Sequence, residues 1–201
     1  MHDMNEVLIR GFIINKFKPR EDVLIMTVNV PSKKSNMPNY PKITFFGESA
    51  ALADEFSMYA NVDIVASIQT SRRIVDGVKT YSQNMVGKSI CETKRTLEAA
   101  FDDNFGGIYL SPENEVKLKG SLRQLFLISD NVLSITIETF INQRHSFVRG
   151  FIYGVKAKKY LENLTVGAPV VALGEIQTLK KAKNGKTLYF ENVVINEIKT
   201  V

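Results

Sequence analysis

The 201-residue sequence has no tryptophan, one cysteine and two histidines. A lone Cys91 excludes a disulfide framework within the chain, and two histidines exclude most zinc sites. No run reaches the roughly 18 uninterrupted apolar residues of a membrane helix. Met1–Glu6 lacks the features of a signal peptide. The expectation is a cytoplasmic protein with no metal and no cofactor. Catalytic patterns are also missing. Gly87-Lys88-Ser89 and Gly185-Lys186-Thr187 imitate the end of a phosphate-binding loop, but Ser82 and Lys180 stand where its first glycine is required. Cys91 has no base in sequence reach, since His2 and His145 lie in unrelated segments. The chain reads as a non-enzyme.

What is present is ordinary globular composition, 44% apolar and 23% charged, with a net charge of +5. That sign suits a polyanionic partner without requiring one. The most informative feature is internal repetition. Asn5-Glu6-Val7-Leu8-Ile9-Arg10-Gly11 returns as Asn114-Glu115-Val116-Lys117-Leu118-Lys119-Gly120, an offset of 109. Val23–Val28 aligns with Val132–Ile137 at the same offset, and Ile68-Gln69-Thr70 returns as Ile176-Gln177-Thr178 at 108. Asp76-Gly77, Tyr81 and Asn84 match Asn184-Gly185, Tyr189 and Asn192, again at 108. The chain divides into copy one at 1–90, a linker at 91–113 and copy two at 114–201, with net charges of +2, −3 and +6.

Each copy reads as three strands, a helix and two strands. In copy one the strands are Val7–Ile14, Val23–Val30, Lys42–Phe46, Val62–Thr70 and Thr80–Val86. Lys16–Arg20 reads as a loop, and Ser49–Tyr59 as a helix with Leu52, Phe56 and Tyr59 inward. Copy two gives strands at Glu115–Gln124, Val132–Thr139, Phe147–Tyr153, Pro169–Leu179 and Leu188–Ile198, with a helix over Ala157–Leu164. A short helix is expected in the linker at Thr96–Phe101. This order predicts an all-β chain with one short helix per domain: two tandem OB-folds, each a five-stranded Greek-key barrel. Phe12, Phe56, Phe126 and Tyr160 are assigned to the core.

The chemistry-bearing pattern is basic residues interleaved with aromatics. Lys33, Lys34, Tyr40 and Lys42 surround the connection between strands two and three of copy one. Arg72, Arg73, Lys79 and Tyr81 belong to its second hairpin. Copy two offers Arg144, His145, Phe147 and Arg149, then Lys180, Lys181, Lys183, Lys186 and Tyr189. Cations along a strand backbone and flat rings for splayed bases are what a single-stranded nucleic acid needs, DNA or RNA. Lysine-rich hairpins also serve as solvated, aggregation-resistant edges, and Tyr81 and Tyr189 fit cross-strand packing equally well.

These motifs resemble the bacterial single-stranded DNA-binding protein family. The resemblance rests on Asn-x-Val-x-Leu/Ile-x-Gly at the first strand, Phe46-Gly47-Glu48 leading into an Ala/Leu-rich helix, and Ile-Gln-Thr followed by a basic hairpin with Tyr. It implies single-stranded DNA as partner, a homodimer, replication or recombination proteins as further partners, and base stacking on Phe46 and Tyr153. Where the family carries a second stacking ring this chain has Arg72-Arg73-Ile74 and Leu179-Lys180-Lys181, which implies more electrostatic binding. The alternative is a protein-interaction module of a replication or mobile-element assembly. Val7–Ile14 or Val116–Leu122 offers an edge strand that could pair across a dimer, and the two barrels of one chain could equally pack on each other.

Overall fold

The computed structural model describes residues 2–32, 37–93, 99–102, 106–183 and 186–201. Strands β1 (Met4–Arg20), β2 (Val23–Asn29) and β3 (Lys42–Phe46) precede helix α1 (Glu48–Asp54), which leads to β4 (Asn61–Val75) and β5 (Val78–Glu92). β1 pairs antiparallel with both β2 and β4, and β3 runs parallel to β5, so the five strands close into a barrel. The second half repeats the plan with β8 (Glu113–Ser129), β9 (Val132–Ile141), β10 (Arg144–Tyr153), α2 (Lys156–Asn163), β11 (Pro169–Lys183) and β12 (Lys186–Thr200). There β8 pairs with β9 and β11, and β10 runs parallel to β12. The two OB-folds expected from the sequence are both formed.

Several elements differ from expectation. Lys16–Arg20 is not a loop; it continues β1 as a two-residue-turn hairpin, with Phe17 opposite Ile25 and Arg20 opposite Val23. The Lys16 ammonium donates to the carbonyls of Asp54 (2.7 Å) and Phe56 (2.9 Å), satisfying orphan acceptors at the helix C-terminus. That explains why α1 ends at Asp54 and not at Tyr59, whose φ of 66° is left-handed. The inward face of α1 is Ala50 and Ala53, while Leu52 and Tyr59 are exposed. At α2, Ala157 and the C-cap Leu164 are buried and Leu161 packs on the core. In the linker, Ala99–Asp102 is no helix; it is strand β6, paired with β7 (Gly107–Leu110). Residues 96–98 of that expected helix lie outside the described residues, as does the Asn184-Gly185 turn. Asp76 (φ 51°) and Gly77 (φ 76°) make the tight turn that the β4–β5 hairpin requires, and only glycine takes the second position freely.

The first-strand motif has a structural reason at both ends. The Asn5 side chain donates to the Ile68 carbonyl (2.8 Å) and accepts from the Ile68 N–H (2.8 Å); Asn114 does the same with Ile176 (2.7 and 2.8 Å). A Cβ on Gly11 or Gly120 would collide with the carbonyl oxygen of Asn29 or Glu138, so the strands cross there only with glycine.

Of the two arrangements open to the Val7–Ile14 and Val116–Leu122 edges, the one within a single chain is formed. β1 runs antiparallel to β8 from Met4/Lys119 to Arg10/Glu113, joining both barrels in one ten-stranded sheet. Val7 lies opposite Val116, its own repeat counterpart, so a pseudo-twofold axis passes between these two buried side chains. The same symmetry governs the seam. The Tyr40 N–H donates to Thr178 Oγ1 (2.8 Å) and the Phe147 N–H to Thr70 Oγ1 (3.0 Å). The Lys42 N–H donates to Glu191 Oε1 (3.0 Å) and the Arg149 N–H to Gln83 Oε1 (2.9 Å).

Candidate nucleic-acid interface

An OB-fold offers the outer face of its second and third strands and the loops at their ends to oligonucleotides. In β10 strict alternation buries Ser146, Val148, Gly150 and Ile152 and turns Phe147, Arg149 and Tyr153 outward, with Phe151 half-buried among them. In β3, Ile43 and Phe45 are buried and Lys42 and Phe46 face out. The adjacent phenylalanines Phe45 and Phe46 thus divide between core and surface, as strand geometry demands. Phe46 is 48% exposed and its counterpart Tyr153 is 42% exposed.

Sequence reasoning missed two further rings and misplaced one of them. Phe126 is not core: it is 47% exposed, and Phe17, its counterpart at offset 109, is 57% exposed. The cause is a β-bulge at the same point of each barrel. The register shifts between Ile13 and Asn15 in β1 and between Leu122 and Gln124 in β8. One extra residue reverses the alternation, so Phe17 and Phe126 face outward although Ile13 and Leu122, four residues earlier, face inward. Phe17 then sits in a row with Ile25 and Thr44, and Phe126 in the equivalent row with Ser134 and Phe151. Of the other residues assigned to the core, Phe12 is fully buried, and Phe56 and Tyr160 pack against the core from its margin.

The two barrels are not equal. The β9–β10 end of the second carries a ring cluster in which Phe140 lies 4.5 Å from His145, and His145 lies 6.4 Å from Phe147 with planes 16° apart. His145 is held by Glu138 at 2.7 Å, and Glu138 also binds Arg123. These two partners hold the Glu138 carboxyl below its ordinary range against the opposing effect of burial, the largest single influence on it. Phe151 and Tyr153 form a second ring pair, 6.4 Å apart with planes 30° apart.

The second hairpins show a shared device. Arg72 is directly opposite Tyr81, and Lys180 directly opposite Tyr189, so a cation and a ring occupy one face at equivalent points. Tyr81 is the most open of the candidate rings, at 71%. Tyr189 meets Tyr40 edge-on at 6.4 Å across the seam, which removes Tyr40 from the open face. Lys181 stands 6.0 Å from the Phe190 ring centroid. Arg144 is exposed at the start of β10. Lys33 and Lys34 lie outside the described residues; Arg73, Lys79, Lys183 and Lys186 have described backbone in the hairpin strands but undescribed side chains. Among the described residues no helix is long and apolar enough to cross a membrane.

No protein-family model and no curated protein matches the sequence. Solved structures do. Over 100% of its length the chain is similar to the wild-type single-stranded DNA-binding protein from Thermus aquaticus, with a TM-score of 0.65, 13% identity and 94% of that chain covered. A deletion variant of the same protein gives a TM-score of 0.67 at 13% identity, with 100% and 95% covered. At that identity the likeness is one of fold: this chain has the tandem OB-fold architecture of those proteins along its whole length.

Proposed function

We propose that the chain is a non-catalytic protein that binds single-stranded DNA with little sequence preference, in the setting of replication, recombination or repair in the cytoplasm. The observation that carries this reading is the repeat-equivalent set of outward rings and cations: Phe17 with Phe126, Phe46 with Tyr153, Lys42 with Arg149, and Arg72 with Lys180. A large ring left in water twice, at matching points on the face OB-folds use, is not explained by packing within the barrel. Bases supply flat partners for such rings irrespective of sequence, and phosphates supply partners for the cations. The fold likeness to the Thermus aquaticus single-stranded DNA-binding protein supports the same choice. Fluorescence anisotropy with labelled oligo-dT tests it: binding at about 50 mM salt should weaken steeply as salt rises. Absence of binding at that salt overturns the reading, and parallel titrations with oligo-rU and duplex DNA separate it from RNA or duplex recognition.

A further inference from the structure

The repeat makes it possible to compare every seam position with its symmetry mate, and one pair of positions breaks the symmetry in charge. Between β4 and β5 the register shifts so that Lys88 is the extra residue of a bulge, flanked by Ala66/Gly87 and Val65/Ser89. Between β11 and β12 the same shift leaves Asn196 as the extra residue, flanked by Gly174/Ile195 and Leu173/Glu197. Bulges re-aim the side chain they insert. The Lys88 ammonium is turned to the seam, where it donates to the Asn5 carbonyl at 3.3 Å.

Lys88 lines a cleft of about 270 Å³ between the β4–β5 strands of the first barrel and the β9–β10 hairpin of the second. Arg144 enters from the other wall, and Asn5, Ser67, Thr139 and Ser146 supply the polar floor. No acidic residue lines the cleft among the described residues, and Arg144 has no ion-pair partner among them. The equivalent positions across the pseudo-twofold are Asn196 for Lys88, the buried Glu175 for Ser67 and Met37 for Arg144. One side of the seam is therefore doubly cationic, and its mate carries a carboxylate and no cation at these three positions. An inter-barrel seam built only for packing has no need of two cations that leave spare donors facing one cleft.

We propose that this cleft holds the phosphodiester backbone of a single strand where it crosses from one barrel to the other, on the Lys88–Arg144 side of the seam. The inference rests on the single-strand reading above. The cleft lies between the β4–β5 and β9–β10 hairpins, whose opposite faces carry Arg72 with Tyr81 and the Phe140–His145–Phe147 rings, so a strand joining these two sets turns around the hairpin edges into the cleft. The Phe147 N–H bonded to Thr70 Oγ1 fixes those hairpins against each other.

The test compares salt dependence on two oligonucleotides, an oligo-dT of about 30 nucleotides that spans two OB-folds and one of about 8 that fills one. Wild type, Lys88→Gln with Arg144→Gln, and Arg144→Gln alone are titrated at several salt concentrations. Each lost phosphate contact lowers the slope of log K against log salt by roughly 0.7 on a single strand. The double variant should lose about 1.4 on the long oligonucleotide and less on the short one, while Asn196→Ala changes neither. Arg144→Gln alone should lose about 0.7 and carries the test if the Lys88 variant misfolds. An unchanged slope on the long oligonucleotide, or an equal loss on the short one, overturns the crossing site while wild-type binding still stands. Failure of wild type to bind either oligonucleotide overturns the single-strand reading itself.

Discussion

Gln83 and Glu191 hold the same place in the two barrels, and each closes the seam by accepting a backbone N–H from the opposite barrel. Gln83 goes further, since its amide also donates to the Arg149 carbonyl at 3.1 Å. An ionised carboxylate cannot donate. Burial accordingly raises the Glu191 pKa from 4.5 to about 7, against the lowering influence of the Lys42 N–H and the Lys42 charge. A folded-state value above the unfolded one means that the native protein holds a proton which the unfolded chain releases between pH 4.5 and about 7. Stability is lost as pH rises through that window, by up to about 3 kcal/mol in all. Glu191→Gln supplies the missing donor at every pH. Its thermal midpoint should exceed that of wild type by a margin that grows by several degrees from about pH 5 to pH 8. A margin independent of pH would show that Glu191 does not titrate in this range.

The Asn5 and Asn114 amides replace a pair of ladder hydrogen bonds between the first and fourth strand of each barrel. Asn5 is buried and also donates to Thr139 Oγ1 at 3.2 Å, so it ties the first barrel to the second. Truncating it leaves both the N–H and the carbonyl of Ile68 without this partner, and each buried unsatisfied group costs about 1–3 kcal/mol. Asn5→Ala should lower the thermal midpoint by roughly 4–24 °C. Asn114→Ala should cost less, because the Asn114 side chain is only part-buried. Equal losses would mean that the bond across the seam contributes nothing.

How far the sequence was legible follows from what its patterns encode. The repeat offset announced two copies, and alternation located β3 to the residue, because Lys42–Phe46 has one buried and one open face. The expected strand stops at Gln124 and Phe126 is assigned to the core apart from it; a bulge is invisible to a period-two pattern, since the inserted residue, Arg123, looks like any other strand residue. The signal that could have recovered it was the repeat itself, since an offset of 109 pairs Phe126 with Phe17 in a basic, hydrophilic stretch. The α1 stripe failed for another reason. Leu52 and Tyr59 have helical spacing, but a lysine from β1, distant in sequence, terminates the helix first. The closure of the β1 and β8 edges on each other is one of two arrangements the sequence allows, and only the register settles it.

The bulge makes a prediction that separates stacking from packing. Phe17→Ala and Phe126→Ala remove rings that face solvent, so stability should change by no more than about 0.5 kcal/mol. Affinity for oligo-dT should fall by ~1–3 kcal/mol for each ring that stacks a base. Phe45→Ala is the contrasting case: its ring is fully buried, and its loss should cost about 3–5 kcal/mol of stability. Thermal unfolding and anisotropy on the same samples read both quantities. Stability losses at Phe17 or Phe126 comparable to that at Phe45 would return those rings to the core.

Charge and rings both favour the second barrel. Copy two carries +6 against +2 for copy one, and the Phe140–His145–Phe147 cluster has Pro31, Pro38 and Tyr40 at the equivalent positions. Of those three, Tyr40 alone is aromatic, and it is turned into the seam against Tyr189. Electrostatic attraction sets most of the sequence-independent affinity, and each added stacking ring increases it. Removing the matched ring pair from the second barrel, Phe126→Ala with Tyr153→Ala, should therefore weaken oligo-dT binding more than Phe17→Ala with Phe46→Ala. The difference should be largest on an oligonucleotide of about 8 nucleotides, which can choose one barrel, and smaller on one of about 30, which needs both. Equal losses on the short oligonucleotide would show that the two barrels bind alike despite their charges. A larger loss from the first-barrel pair would place the stronger site there, and the cations of the second half would then act as a solvated edge.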